Sequence, residues 1–302
     1  MKKTGSAAEC KKEINPAALR PEEEIEEEIL ETPSEEGGRS AEGIHTFAVC
    51  AYKESPWLEA CLFSLREQTV KSDVIMITST PNDHIRSIAE KYGVPLLVNT
   101  GGGGITQDWN FAYTHAATRY VTITHQDDLY EPEYAQRAVQ MLERSRKPLI
   151  FFCDYYEIRN DMPVLENRLL NVKRMMLLPI RLPFAQRSRW IRRRILSFGS
   201  PICCPSVTFA KENLPYAVFR HGFRACEDWE AWEMISKRKG DFLYCPEPLM
   251  GHRIHEDSET SAIIGDNLRS EEEYIMFRKF WPAPAARLLN RKYASAQKSN
   301  RL

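Results

Sequence analysis

The chain has 302 residues, 43% of them hydrophobic, which is enough for one large α/β domain or two small ones. Its net charge of −1 hides an uneven distribution: residues 1–44 are rich in Glu, whereas Lys173–Arg194 and Phe277–Leu302 are basic. Eight cysteines without a CxxC or paired spacing, no apolar leader in Met1–Glu31 and no apolar run near the roughly 20 residues of a membrane span give the expectation of a reduced, cytoplasmic protein.

In chain order, residues 1–44 are poor in aromatics and broken by Pro21, Pro33 and Gly37-Gly38, so they read as an acidic, disordered tail. A single domain is expected over 45–302. Thr46–Ala51 reads as a buried strand, and Trp57–Gln68 has the apolar spacing of an amphipathic helix. Asp73–Thr78 is a second strand, His84–Tyr92 a helix stopped by Gly93, and Pro95–Val98 a third strand. The run Gly101–Gly104 lacks GKS/T and GxGxxG, so it is expected as a flexible loop before a helix over Asp108–Thr118. After a strand at Tyr120 come a helix at Pro132–Arg144 and a strand at Pro148–Cys153. Beyond Glu157–Ser200, which is basic and helical or irregular, the pattern gives a helix within Gly222–Lys239, a strand at Phe242–Tyr244 and a polar loop over Arg253–Ile263. Strand–helix alternation of this kind implies an α/β fold, a mostly parallel central sheet wrapped by helices. The basic C-terminal residues are expected as an extension of it.

The stretch around which the rest is organised is Tyr120–Glu131, YVTITHQDDLYE. A β-branched strand here ends in His125, Gln126, Asp127 and Asp128. Adjacent carboxylates repel unless a cation or hydrogen bonds offset them, and in open α/β sheets the carboxyl ends of strands are where ligands bind. Two hard oxygen ligands suit Mg²⁺ or Mn²⁺ bridging to a diphosphate. A solvated turn, or an Asp N-cap for the helix at Pro132, is the alternative.

Four stretches, in this order, resemble a family 2 glycosyltransferase of the GT-A fold. Cys50–Thr69 resembles the first strand–loop–helix, which meets the nucleotide. Thr124–Tyr134 (THQDDLYEPEY) resembles the metal-binding aspartate motif in its His-first variant. Cys226–Trp232 (CEDWEAW) resembles the Glu-Asp motif of the catalytic base, and His252–Thr260 (HRIHEDSET) the loop that brings a histidine to the metal. The resemblance implies inverting transfer of a sugar from a nucleotide-sugar, UDP-sugar by default, to a hydroxyl of a glycan or lipid-linked acceptor in cell-surface polysaccharide synthesis. It implies Mg²⁺ or Mn²⁺ on Asp128 and His255 with Asp127 alongside, and Asp228 as base with Glu227 as alternate. Tyr52, Glu54, Ser79, Asp108, Asn110 and Arg253 are the remaining donor-side candidates. Helix capping by Asp108, a surface ion pair for Arg253 and a helix-start acid pair at Glu227-Asp228 are the corresponding structural alternatives.

The chain departs from the family pattern in three places. No aspartate pair follows the second strand, where Ile77-Thr78-Ser79-Thr80 stands; Lys53 replaces the usual Asn; and His125 occupies the first Asp position. A catalytically silent nucleotide- or glycan-binding protein and a nucleotidyltransferase are therefore the rival readings. The Cys203-Cys204 pair between prolines raises a reactive-thiol role. Lys173–Leu196, acid-free and mixing Arg with Met, Leu and Trp, suits a peripheral contact with anionic membrane as well as a basic face over the core. No nucleic-acid fold accompanies it.

Overall fold

The computed structural model describes residues 40–255 and 268–298. The acidic segment 1–39 and most of the 252–260 loop motif lie outside them. The order is β1 (His45–Cys50), α1 (Leu58–Arg66), β2 (Asp73–Thr78), α2 (Asp83–Lys91), β3 (Leu96–Val98), α3 (Ile105–His115), β4 (Tyr120–His125), β5 (Leu129–Tyr130) and α4 (Tyr134–Arg144). There follow β6 (Pro148–Arg159), β7 (Met162–Val164), α5 (Arg168–Leu177), α6 (Pro183–Gln186), α7 (Arg189–Leu196), β8 (Val207–Ala210), α8 (Glu227–Ser236) and β9 (Asp241–Ile254). Two C-terminal helices, α9 (Leu268–Arg278) and α10 (Ala283–Lys298), complete it.

All nine strands join one sheet in the order β3-β2-β1-β4-β8-β6-β9-β5, with β7 beside β6. The pairs β3–β2, β2–β1, β1–β4 and β6–β9 are parallel, and β8 enters antiparallel between β4 and β6. Most strands therefore point the same way, as strand–helix alternation requires. α1, α2 and α4 bury Leu58, Ile85 and Tyr134 against one face. α3, α7, α8, α9 and α10 bury Tyr113, Leu196, Trp229, Phe277 and Ala286 against the other. α9 and α10 thus pack on the core through Phe277 and Ala286. Among the described residues no helix is long and apolar enough to cross a membrane.

Boundaries differ from expectation where tertiary pairing decides them. α3 starts three residues early because Gly104 (φ 140°) supplies the turn into it. β9, expected as three residues, runs to Ile254 because it follows β6 in parallel through register shifts around Asp154. There Gly251 lies opposite Tyr156, and a Cβ on it would stand 2.7 Å from the Tyr156 ring. That close approach carries His252 and Arg253 along the sheet to the end of β4.

At the amino end of β4 the polar groups close on themselves. His45 is fully buried; its Nδ1 lies 2.9 Å from Ser72 Oγ and its Nε2 2.8 Å from Thr122 Oγ1. Thr122 Oγ1 is 2.7 Å from Thr208 Oγ1, which is 3.0 Å from Tyr134 Oη. Burial pushes the His45 pKa down to about 3, so the ring is neutral. The described cysteines are free thiols, all buried except the half-buried Cys50. Burial raises Cys203 and Cys204, with the Lys173 charge opposing it at Cys203 and the Asp228 charge adding to it at Cys204. A reactive thiolate at this pair is therefore disfavoured.

Candidate active site

At the carboxyl end of β4 the same strand delivers the acid pair. Gln126 locks the turn: its Oε1 accepts the Tyr52 N–H at 2.9 Å and its Nε2 donates to the Tyr52 carbonyl at 2.9 Å. Asp128 is fully buried. Its Oδ1 accepts the Arg253 amide N–H at 2.9 Å and lies 3.0 Å from His252 Nδ1. Its Oδ2 has no hydrogen-bond partner among the described residues, with His125 Nδ1 at 3.6 Å, and His125 Nε2 is likewise buried without one. Asp127 Oδ2 stands 2.9 Å from His255 Nε2. His125, Asp127 and Asp128 each present a ligand atom within 4.8 Å of one another.

Burial tends to raise the Asp127 carboxyl, but the His255 contact and the charges of His125 and His252 outweigh it and hold the group below its ordinary range. Burial opposes a proton on His252, yet Asp128 and Asp127 together raise it. A carboxyl oxygen and an imidazole nitrogen buried without partners cost several kcal/mol together, at about 1–3 kcal/mol or more each. A divalent cation at those atoms removes that cost, so the donor set of carboxylates and imidazoles fits one.

Arg253 braces this cluster. Its Nε donates to the Asp127 carbonyl at 3.0 Å, and its Nη1 reaches Asp161 in the two-residue β6–β7 turn, where Asn160 and Asp161 have φ of 49° and 59°. Arg253 itself is only 5% exposed and lies over the Trp57 ring, whereas its partner Asp161 is exposed. Trp57 and Trp109 wall the cluster, their rings 4.3 Å from His255 and 5.2 Å from His125.

Across from the acid pair, α8 opens with the second acidic motif. Asp228 is half-buried; its Oδ1 takes the amide N–H of Trp229 at 2.6 Å and its Oδ2 accepts from Ser200 Oγ at 3.5 Å. Burial raises its pKa, and the Trp229 amide and the charges of Lys173 and Arg269 offset this only in part. Glu227 is 6% exposed, with its charge acting on Cys204 in the interior. Trp229 and Trp232 are core residues, fully buried, so neither is a sugar platform. Between the two motifs stands Lys173. Its Nζ donates to Tyr155 Oη at 2.8 Å, and its charge reaches His252 on one side and Asp228 on the other. No ion pair holds it among the described residues.

The profile of "Glycosyl transferase family 2" matches residues 46–197, half of the chain. The chain belongs to glycosyl transferase family 2. Its fold matches Staphylococcus aureus TarS 1–349 in complex with UDP-GlcNAc at TM-score 0.54 and 17% identity, over 82% of this chain and 70% of that one. It also matches the mannosyltransferase PcManGT from Pyrobaculum calidifontis in complex with GDP-Man and Mn²⁺ at TM-score 0.54 and 18% identity, over 83% and 68%. No curated protein matches the chain in a sequence search. Both neighbours are glycosyltransferases of the GT-A fold, and that is the fold of this chain.

In this family 2 glycosyl transferase the remaining donor-side candidates divide. Tyr52 and Glu54 are exposed on the loop after β1, beside the acid pair through the Gln126 clasp. Ser79 Oγ donates to Asp108 Oδ2 at 2.7 Å, and Asn99 Nδ2 to Asp108 Oδ1 at 2.7 Å. Asp108 is therefore not a helix cap; it ties the ends of β2 and β3 to α3. Asn110 is engaged with the loop before α8: its amide donates to the Phe219 carbonyl at 2.7 Å and accepts from the Val218 and Phe219 amides. Sequence reading missed His252, Trp57, Trp109 and Lys173 as site residues. For His252 the signal was its place at the head of the HRIHEDSET stretch, immediately before Arg253, and for Lys173 there was none.

Proposed function

We propose that this protein transfers a sugar, with inversion at the anomeric carbon, from a nucleoside diphosphate sugar to an acceptor hydroxyl. The observation that carries the reading is the pairing of a buried, incompletely satisfied His125–Asp127–Asp128 cluster with a half-buried carboxylate at Asp228 whose pKa is raised. The carboxylate of Asp228 accepts the proton of the acceptor hydroxyl. As it does so, the bond from that oxygen to the anomeric carbon forms. The bond from the carbon to the donor phosphate breaks, and the nucleoside diphosphate leaves with the electron pair. Asp128, Asp127, His125 and His255 would hold Mg²⁺ or Mn²⁺, which when bound supplies positive charge against the departing diphosphate.

Several groups position the substrates. Lys173 faces the same substrate charge from the other side. Glu227, 6% exposed beside Asp228, is the alternate base. Tyr52, Glu54, Ser79 and Asp108 form the donor wall, and Arg253 fixes the metal loop instead of touching phosphate. The neighbours' ligands, UDP-GlcNAc and GDP-Man, support a nucleoside diphosphate sugar as donor. A UDP-sugar is the first one to try.

The test is turnover of a UDP- and GDP-sugar panel with Mn²⁺ or Mg²⁺, with the product anomer read by NMR. Inverted configuration is expected. A retained anomer would remove the single-displacement mechanism, and formation of nucleoside triphosphate and sugar 1-phosphate when pyrophosphate is supplied would favour a nucleotidyltransferase.

A further inference from the structure

The acid-free segment between Glu166 and Glu212 is not evenly basic on its surface, because several of its cations turn inward. Arg192 is 1% exposed and donates to the carbonyls of Ser236, Gly240 and Arg238 at the end of α8. Arg174 pairs with Asp154 at 2.7 Å and Arg193 with Glu233 at 2.8 Å. What remains outside is an apolar belt with cations set in it. Met175, Leu178, Leu182, Phe184 and Trp190 are 51–69% exposed. Met175 and Leu178 follow one another on the outward side of α5 and its short 3₁₀ continuation (Leu178–Arg181), and α6 and α7, which pack beside that continuation, carry Phe184 and Trp190. Arg181, Arg189 and Arg194 are exposed among them, and the Arg194 guanidinium lies over the Trp190 ring at 5.7 Å.

From this surface we infer that the protein docks peripherally on an anionic lipid bilayer through α5–α7 and takes its acceptor from that bilayer, an inference whose second half rests on the transfer reading above. Exposed Trp, Phe and Leu on one face with Arg between them is the pattern that seats a helix at the headgroup boundary. Charge complementarity selects the occupant. A second copy in two-fold contact would set Arg against Arg, since the segment contains no acid. A nucleic acid would use the cations but leave Met175, Leu178 and Leu182 against water. The position of the belt gives the acceptor side. One end of the segment supplies Lys173, and the other continues through Phe198 to Ser200 beside Asp228. A hydroxyl on a lipid-linked acceptor in the docked bilayer would thus meet the base without leaving the interface.

The full chain should co-sediment with phosphatidylcholine vesicles containing phosphatidylglycerol, more weakly with phosphatidylcholine alone, and less as salt rises. Phe184→Asp and Trp190→Ser, and separately Arg189→Glu with Arg194→Glu, should each lower that binding by at least about tenfold, since one basic residue near an anionic surface is worth roughly fivefold. Circular dichroism checks that these exposed substitutions leave the fold intact. Turnover of soluble donor by water should stay unchanged in the same variants, while transfer to vesicle-borne acceptor lipids falls with binding. Binding that ignores the apolar substitutions but persists on single-stranded RNA would overturn the bilayer in favour of a polyanion. A dimer by light scattering that the same variants dissolve would overturn it in favour of a second copy. Vesicle binding without turnover of any nucleotide-sugar would leave the docking intact and refute the transfer reading instead.

Discussion

Two polar clusters flank β4, one at each end, and both contain groups with no solvent exposure. At the amino end, His45, Ser72, Thr122, Thr208 and Tyr134 satisfy one another within 2.7–3.0 Å, and the imidazole is held neutral. At the carboxyl end, Asp128 and His125 keep atoms that no described group answers. The first cluster is complete as folded. The second leaves buried atoms unanswered among the described residues, which supports the ligand site proposed there. Both hold fully buried polar groups, but one is built of hydroxyls around an imidazole and the other of carboxylates, and only the first is satisfied from within.

The largest expected effect breaks the second cluster. Asp128→Asn should lower metal-dependent transfer by about 10³-fold or more, because several kcal/mol of charge stabilisation at the leaving group go with it. It should also abolish the Mn²⁺-dependent thermal shift given by nucleoside diphosphate. An Asp128→Asn protein that still shows that shift would return the acid pair to a capping or turn role.

Asp228→Asn keeps the shape and removes the base, so turnover should fall by on the order of 10²–10⁴-fold with donor binding intact. Since burial raises this carboxyl, the acid limb of the wild-type rate profile should sit above the ordinary Asp value of about 3.9. Rate is lost as pH falls through that limb, because the protonated form accepts nothing. The stability sign is the reverse. The folded state holds the proton more tightly than the unfolded, so this group costs stability as pH rises between the two values. At neutral pH Asp228→Asn should therefore melt no lower than the parent, and a clear drop in its melting temperature would point to a structural role for Asp228.

The first cluster is broken by His45→Phe, which leaves Ser72 and Thr122 without their partner. A loss of about 1–3 kcal/mol in urea unfolding is expected, with turnover per folded molecule unchanged. The smallest effect lies beside the site, at Lys53. Its φ of 54° is left-handed backbone, which Asn tolerates better than Lys, and this accounts physically for the Asn usual at that position. Lys53→Asn should gain up to about 1 kcal/mol in the same measurement; a loss would mean that the Lys53 side chain itself contributes there.

The sequence made one cluster legible and hid the other. Two carboxylates after a β-branched run can be read without a structure, because only a ligand or a cap explains them. His45 and the threonines carry no such contradiction and read as ordinary strand. His252 was hidden for a different reason. Its position depends on β9 following β6 past three register shifts, and such shifts are set by tertiary pairing rather than by local pattern. Asn110 looked like a donor contact because polar residues near a glycine loop suggest ligands, and only the fold shows that it clamps the Val218–Phe219 backbone. In the basic segment the composition was readable but the orientation of Lys173 and Arg192 was not, since either side of those helices can carry a cation until packing decides.

The thiols described earlier offer a built-in reporter. Every described cysteine except half-buried Cys50 is enclosed, and burial raises the thiol pKa even at Cys50, so at neutral pH the native fold presents almost no thiolate to an alkylating reagent. With Cys10→Ser removing the one cysteine outside the described residues, the rate at which iodoacetamide enters the chain would measure how often each layer opens. Cys61 would report the α1 side, and Cys226 the helix that carries Asp228.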